Sequence, residues 1–348
     1  MYFKSWILLS ISFFGLCSLT AARTEQTSYS PKSLQKIILS GPAQGTSYHI
    51  TYFDYSETVS KSDIDSILKS IDLSMSIYHR ESTINKFNNH NGGPIKLDPH
   101  FQKVMQASIY YNRITNGIFD ITVAPLVQLW GFGPKQIKKF PDSTEIATTL
   151  LSVGMDKLIW KAPYLDKNNS TVSIDVNGIA QGYSVDVLAE FLERKDIKNY
   201  IVELGGEMRI KGKNLEGDYF KIGIERPTSD DNQHLKTEVV SIKSGALTTA
   251  GNFEKFMMNG QQKISHHVNP LTGYMFSSPI VSVTVYAKTA MEADALDNYF
   301  MALTADEIIH FVEKKKNLEV YIIFKNDKGE IEERYSKGFS AFFLNKTR

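Results

Sequence analysis

Asp294 and Asn298 lie four residues apart in a stretch whose apolar spacing predicts a helix over 289–303. That separation is about one helical turn, so a carboxylate and a neutral amide oxygen project from the same face. Oxygen donors of this kind suit a hard cation such as Mg²⁺, which keeps only a few protein ligands. Ala290, Met291, Ala293, Ala295 and Leu296 around them are small or apolar. A carboxylate left unpaired in such surroundings costs several kcal/mol, and a cation would relieve that cost. An acid near a helix start, or a plain surface pair, gives the same spacing with no metal.

Other stretches carry polar chemistry as well. From Asp175 to Tyr183 the chain turns at Asn177-Gly178 from a strand end into a helix predicted over 178–194. A helix start offers free backbone N–H groups and a positive dipole end to a phosphate, and turn carbonyls can face a cation bridging that phosphate. An ordinary strand–turn–helix connection capped by Asp175 is the alternative. His266 and His267 stand ahead of the turn signal Asn269-Pro270-Leu271-Thr272-Gly273. Imidazole titrates near neutrality, so one of them can take a proton from an attacking hydroxyl, although a lone histidine is as readily structural. Zinc is disfavoured, because no HExxH pattern and no cysteine partner is present. Tyr78, in the polar and aromatic run from Ser76 to Asn88, offers a ring for stacking on a planar ligand or for core packing. Gly117 to Thr122, with Asp120, supplies another acid and its carbonyls.

The elements that must position these groups follow from periodicity. Ile38 to Phe53 reads as strand, with Tyr48, Ile50 and Tyr52 alternating against polar neighbours. Helices are expected over 63–75, with Ser62 as cap, over 101–114, over 144–151 with Ser143 as cap, and over 307–314. Strands are expected at 157–160, 172–176, 200–204, 219–225, 238–243, 279–286 and 320–324. Strands and helices mix without strict alternation, which points to an α+β fold in one compact domain over 37–345. The charge runs at 135–139 and 313–316 read as solvated faces.

Composition is that of a globular chain: 348 residues, 42% hydrophobic and 22% charged, enough to bury a sizeable core. A formal charge of +1 argues against a nucleic-acid binder with a broad basic surface. Gly131-Phe132-Gly133 is followed by Pro134, which breaks the dinucleotide fingerprint, and no P-loop occurs. Lys4 and the apolar run of 14 residues from Trp6 to Leu19 fit a secretory signal over 1–22, followed by an exposed lead-in over 23–36. That run is shorter than the roughly 20 residues needed to span a bilayer. The expected location is therefore outside the cytoplasm, in the periplasm. Cys17, the only cysteine, is either a lipoprotein acylation site or one more apolar residue of the signal.

Taken in order, these segments resemble the ApbE-type FAD:protein FMN transferases over about residues 42–305. The resemblance is carried by Gly45-Thr46, by Ser76, Tyr78, Ser82, Ile84 and Asn88, and by Gly117 to Val123 with Pro125-Leu126 and Leu129 to Gly133. It continues through Asp175 to Tyr183, Gly205-Gly206-Glu207, Thr248 to Phe253, His266 with Pro270, Thr272 and Gly273, and Ala293 to Leu296. It implies an ApbE-like (T-fold-like) architecture that binds FAD as substrate with Mg²⁺ on its diphosphate. Implied metal ligands are the Ala180 carbonyl, Asp294 and Asn298, and the implied base is His266. Gln44, Tyr78, Ile118, Phe119, Asp120, Asp175, Asn177, Gln181 and Thr249 are implied contacts to the dinucleotide. The implied reaction moves FMN to a threonine hydroxyl of an exported or membrane-bound flavoprotein, such as a Na⁺-pumping or electron-transfer subunit, and releases AMP.

Some positions depart from the family pattern. Gln181 stands for the usual Lys, Asn269 for Asp and Asn298 for Thr, while Asp297 is an additional acid. Water as acceptor would make the same site an FAD pyrophosphatase giving FMN and AMP. Lack of turnover would make it a periplasmic FAD-binding protein.

Overall fold

The alternation of Tyr48, Ile50 and Tyr52 against polar neighbours sets one face of a large sheet, since successive strand residues point to opposite sides. The computed structural model describes residues 33–137, 139–226, 236–251, 256–259, 262–265 and 267–344. The expected signal segment, Cys17 and the lead-in up to residue 32 lie outside the described residues.

β1 (Gln35–Ala43) and β2 (Thr46–Asp54) form a hairpin, followed by α1 (Lys61–Met75), α2 (Thr83–Asn88), β3 (Ile95–Lys96) and α3 (Pro99–Ile114). α4 (Ala124–Leu129), α5 (Ser143–Leu150), β4 (Leu158–Lys161) and β5 (Tyr164–Lys167) lead to α6 (Asn177–Arg194). Strands then succeed one another: β6 (Tyr200–Leu204), β7 (Glu207–Lys211), β8 (Phe220–Arg226), β9 (Lys236–Ile242), β10 (Ser244–Gly251), β11 (Phe256–Asn259), β12 (Gln262–Ser265) and β13 (Ile280–Ala287). α7 (Ala290–Phe300), α8 (Ala305–Glu313), β14 (Glu319–Lys325) and β15 (Ile331–Tyr335) follow.

Eight strands form one sheet in the order β1-β2-β6-β7-β10-β13-β14-β15, and every neighbouring pair is antiparallel. This is a mixed α+β single domain. On one face Tyr48, Ile50 and Tyr52 share a core with Ile64 and Leu68 of α1 and Leu188 and Leu192 of α6. Farther along that face Val283, Val285 and Ile322 share a core with Leu296 of α7 and Ile308 of α8. The opposite face, with Ile210, Leu247 and Ile323, is covered by the β8–β9 hairpin and Phe339.

α6 and α7 meet through a reciprocal pair of contacts. The Asp186 carboxylate of α6 accepts from the N–H groups of Ala290 and Met291 at the start of α7, both at 2.9 Å. In return, Asp294 of α7 accepts from the Gly182 N–H of α6 at 2.8 Å. Arg209 of β7 pairs with Asp186 from below. Burial pushes the Asp186 carboxyl up, while the Met291 N–H and Arg209 pull it back. Glycine is required at 182: a Cβ there would stand 2.4 Å from the Ala290 carbonyl oxygen.

Several expected boundaries differ. The single strand over 38–53 is a hairpin, because Gln44 and Gly45 take positive φ of 50° and 79° and reverse the chain. Ser60, not Ser62, caps α1, in a capping box in which Asp63 returns the bond. Asp142, not Ser143, caps α5. Residues 172–176 form no strand and join no ladder. Their edges are filled otherwise: the Asn88 carboxamide pairs with both backbone groups of Ile174, and Asp175 N–H donates to the Ile121 carbonyl at 2.7 Å.

Gly182→Ala should drive α6 and α7 apart and cost about 1–3 kcal/mol in a chemical denaturation measurement. An unchanged midpoint would show that the two helices part freely.

Candidate metal and diphosphate site

Gly178 interrupts the helical geometry at the start of α6, with φ −84° and ψ 19°. This break faces α7: a Cβ on Gly178 would lie 3.4 Å from the Asn298 amide nitrogen. Two residues beyond Ala180, Gly182 holds Asp294. The first turn of α6, which carries Ala180, is thus bracketed by Asn298 and Asp294, while the Gln181 amide lies beside Gly205 at the β6–β7 turn. Asn177 is exposed as the first residue of α6, and the buried Asp175 accepts from its N–H at 2.8 Å. The Ala180 carbonyl accepts the Ser184 hydroxyl at 2.8 Å, which engages one side of that oxygen. Gln44, in the β1–β2 turn, donates its amide to the Ser184 oxygen at 2.8 Å and so pins the turn to α6.

The acids beneath this turn are crowded. Asp294 and Asp297 are each 3% exposed. Burial, aided by Asp186, pushes the Asp294 carboxyl up to about 7, against the pull of the Gly182 N–H. Burial and then Asp294 push Asp297 well up; the Asn298 backbone N–H and the nearby Thr248 hydroxyl, which is buried without a hydrogen-bond partner among the described residues, temper the rise. Burial raises Glu207 well above the usual carboxylate range too, with Asp294 and Asp297 adding to the rise. Its Oε2 oxygen is buried with no hydrogen-bond partner among the described residues. Three acids crowded in a low-dielectric setting with one oxygen orphaned call for positive charge. The donors at hand, carboxylate, amide and carbonyl oxygens, are those a hard divalent cation takes, so the residues fit Mg²⁺. Among the described residues no three His, Cys, Asp or Glu side chains form a metal centre by themselves. Backbone, amide or substrate oxygens are therefore needed as well.

The other expected contacts divide. Tyr78 is 71% exposed between α1 and α2, with its ring open to solvent. Phe119 is a core residue packed edge-on to Tyr111. Asp120 spends its carboxylate on local order: it accepts from the N–H and hydroxyl of Thr122 and from Met155 N–H. The neighbouring Ile118 is half-buried beside it. Thr249 points away from α7 and pairs with Thr284 at 2.9 Å; its neighbour Thr248 is the one beside Asp297. His266 lies outside the described residues. The loop after it is well tied, with Trp130 donating to the Gly273 carbonyl at 2.8 Å. Glu207, Thr248 and Ser184 join the site without having been expected in it; the Gly205-Gly206 pair ahead of Glu207 was the one available signal.

The ApbE family model matches residues 44–322. A FAD:protein FMN transferase from Haemophilus influenzae is 35% identical over 323 residues, spanning 89% of this chain and 92% of that protein. A FAD:protein FMN transferase from Vibrio cholerae is 33% identical, spanning 89% of this chain and 94% of that one. The solved flavin transferase ApbE from Vibrio cholerae superimposes with a TM-score of 0.81 at 32% identity, covering 89% of this chain and all of that one.

Mg²⁺ should raise the melting temperature of the purified protein without any flavin, by the equivalent of about 2.7 kcal/mol at a hundredfold excess over the dissociation constant. In Asp294→Asn the shift should vanish, while the metal-free protein stays at least as stable at neutral pH, since one buried charge is gone. A full Mg²⁺ shift in that variant would place the cation elsewhere.

Proposed function

The chain belongs to the ApbE family and is an FAD:protein FMN transferase; we propose that it moves FMN from FAD to a threonine hydroxyl of an exported or membrane-bound flavoprotein, with Mg²⁺ as cofactor and AMP as leaving group. The observation that carries this reading is the juxtaposition of the broken first turn of α6 with Asp294 and Asn298 of α7.

In this reading the start of α6 receives the FAD diphosphate, where the positive end of the helix dipole favours anionic oxygens. Asp294 and Asn298, with a backbone oxygen of the α6 turn such as that of Ala180, would hold the cation. Once bound, the cation offsets diphosphate charge and makes AMP a better leaving group. Tyr78 presents an exposed ring for the flavin. The acceptor oxygen attacks the phosphorus on the FMN side, the bond to the AMP oxygen breaks, and His266 takes the hydroxyl proton. The tied loop from 267 to 276 supports that role by anchoring the chain just after His266. The apolar run ahead of residue 20 supports an exported setting, with lipidation at Cys17 as its membrane-anchored form.

Incubation with FAD, Mg²⁺ and an acceptor flavoprotein should give phosphoester-linked FMN on threonine, read by mass spectrometry of the acceptor. Free FMN and AMP, with no covalent product, would favour the pyrophosphatase instead. Asp294→Ala should abolish transfer, and His266→Ala should lower kcat by about a hundredfold or more with FAD affinity nearly unchanged. An equal loss of binding in the histidine variant would remove it as the base.

A further inference from the structure

The corner that carries Asp175 and Asn177 lacks the β-ladder its sequence suggests, and a side chain takes the ladder's place. The Asn88 amide donates to the Ile174 carbonyl at 2.8 Å, and the Ile174 N–H donates to the Asn88 carboxamide oxygen at 2.8 Å. A carboxamide presents a donor and an acceptor side by side, as a backbone peptide does, so Asn88 serves as a one-residue strand partner. The other edge of the segment is held one residue later by Asp175 N–H on the Ile121 carbonyl.

Asn88 is itself fixed. It ends α2, and its backbone carbonyl accepts from the ammonium of Lys167 at 3.2 Å. The same ammonium donates to the Val172 carbonyl at 2.9 Å and lies 5.1 Å from the Phe87 ring centroid. Lys167 is 6% exposed, and burial lowers its pKa. A buried cation that caps a helix end and a loop carbonyl together ties the 172–174 segment to α2.

We propose that Asn88 and Lys167 are positioning residues for the transfer reaction: together they set the height and direction of the 172–178 corner, and thereby the Asp175 carboxylate and the α6 start that receive FAD. This inference rests on the transferase reading, and neither side chain is assigned a contact with substrate. Asn88→Asp is the informative change. When ionised, the new carboxylate still accepts from Ile174 N–H, but its second oxygen opposes the Ile174 carbonyl and pushes the corner away. When protonated, the same group donates again and restores the pair. The charged groups around it are Lys167 from β5 and Asp175 beside Ile174; the ammonium holds the new acid ionised, while Asp175, burial and the facing carbonyl work against ionisation.

The test is FAD affinity by flavin fluorescence with Mg²⁺ present, for the parent, Asn88→Asp, Asn88→Leu and Lys167→Met. At about pH 8 the Asn88→Asp dissociation constant should exceed the parent's roughly tenfold. The ratio of the two should fall toward one as the pH drops through the carboxylate range to about 4. Asn88→Leu should lose roughly tenfold at every pH, and Lys167→Met should weaken binding likewise without acid recovery. A ratio that stays flat with pH, or an Asn88→Leu protein that binds FAD like the parent, overturns the proposal. Should Asn88→Leu fail to fold, the Asn88→Asp ratio decides alone. Transfer by the parent tests the transferase reading separately, because the ratio reports only on the corner.

Discussion

The close crossing of α6 and α7 at Gly182 is the contact on which the rest of the site depends. A glycine lets the two backbones approach until the Ala290 carbonyl fills the space a side chain would need. That approach lets each helix satisfy the other. Asp186 takes two of the N–H groups orphaned at the start of α7, and Asp294 takes one N–H of α6. The polar groups are thus paired across an interface too tight for water, which makes their geometry reproducible. Moving α7 by one residue would disturb all three bonds together.

The same tightness creates an electrostatic problem. Asp294 lies buried between Asp186, already neutralised by Arg209, and Asp297 and Glu207, which have no such partner among the described residues. One arginine serves one acid, and the remaining acids have only neutral donors. Charge is therefore divided along the joint: Asp186 is neutralised at the first residues of α7, whereas Asp294, about one turn farther on, is met by the Gly182 N–H alone among the described residues.

Much of this was legible from residue pattern alone. Helical periodicity located α6 and α7 to within a few residues, and the four-residue spacing placed Asp294 and Asn298 on one face. Strand parity was harder. Thr248 and Thr249 are adjacent, and only the register with β13, which sets Thr249 opposite Thr284, decides which of them faces α7. A slip of one residue exchanges the two faces, and nothing local fixes it. Asp120, an implied contact to the dinucleotide, also orders its own loop by accepting from Thr122 and Met155, a local role that its place in the motif does not reveal. The Asn88–Ile174 pairing, across 86 residues, has no local signature, so the stretch beside it read as a strand.

The order of elements along the chain bears on when the site comes into being. The α6 turn lies near mid-chain, whereas α7 begins only at Ala290, after most strands of the sheet have passed. Asp186 and Asp294 are joined to partners more than a hundred residues away. Such distant closures form late on a folding route, after local helices and hairpins. A nascent or truncated chain thus lacks the α6–α7 joint and the buried cluster of acids beneath it, which come into being only once the last third of the polypeptide has docked.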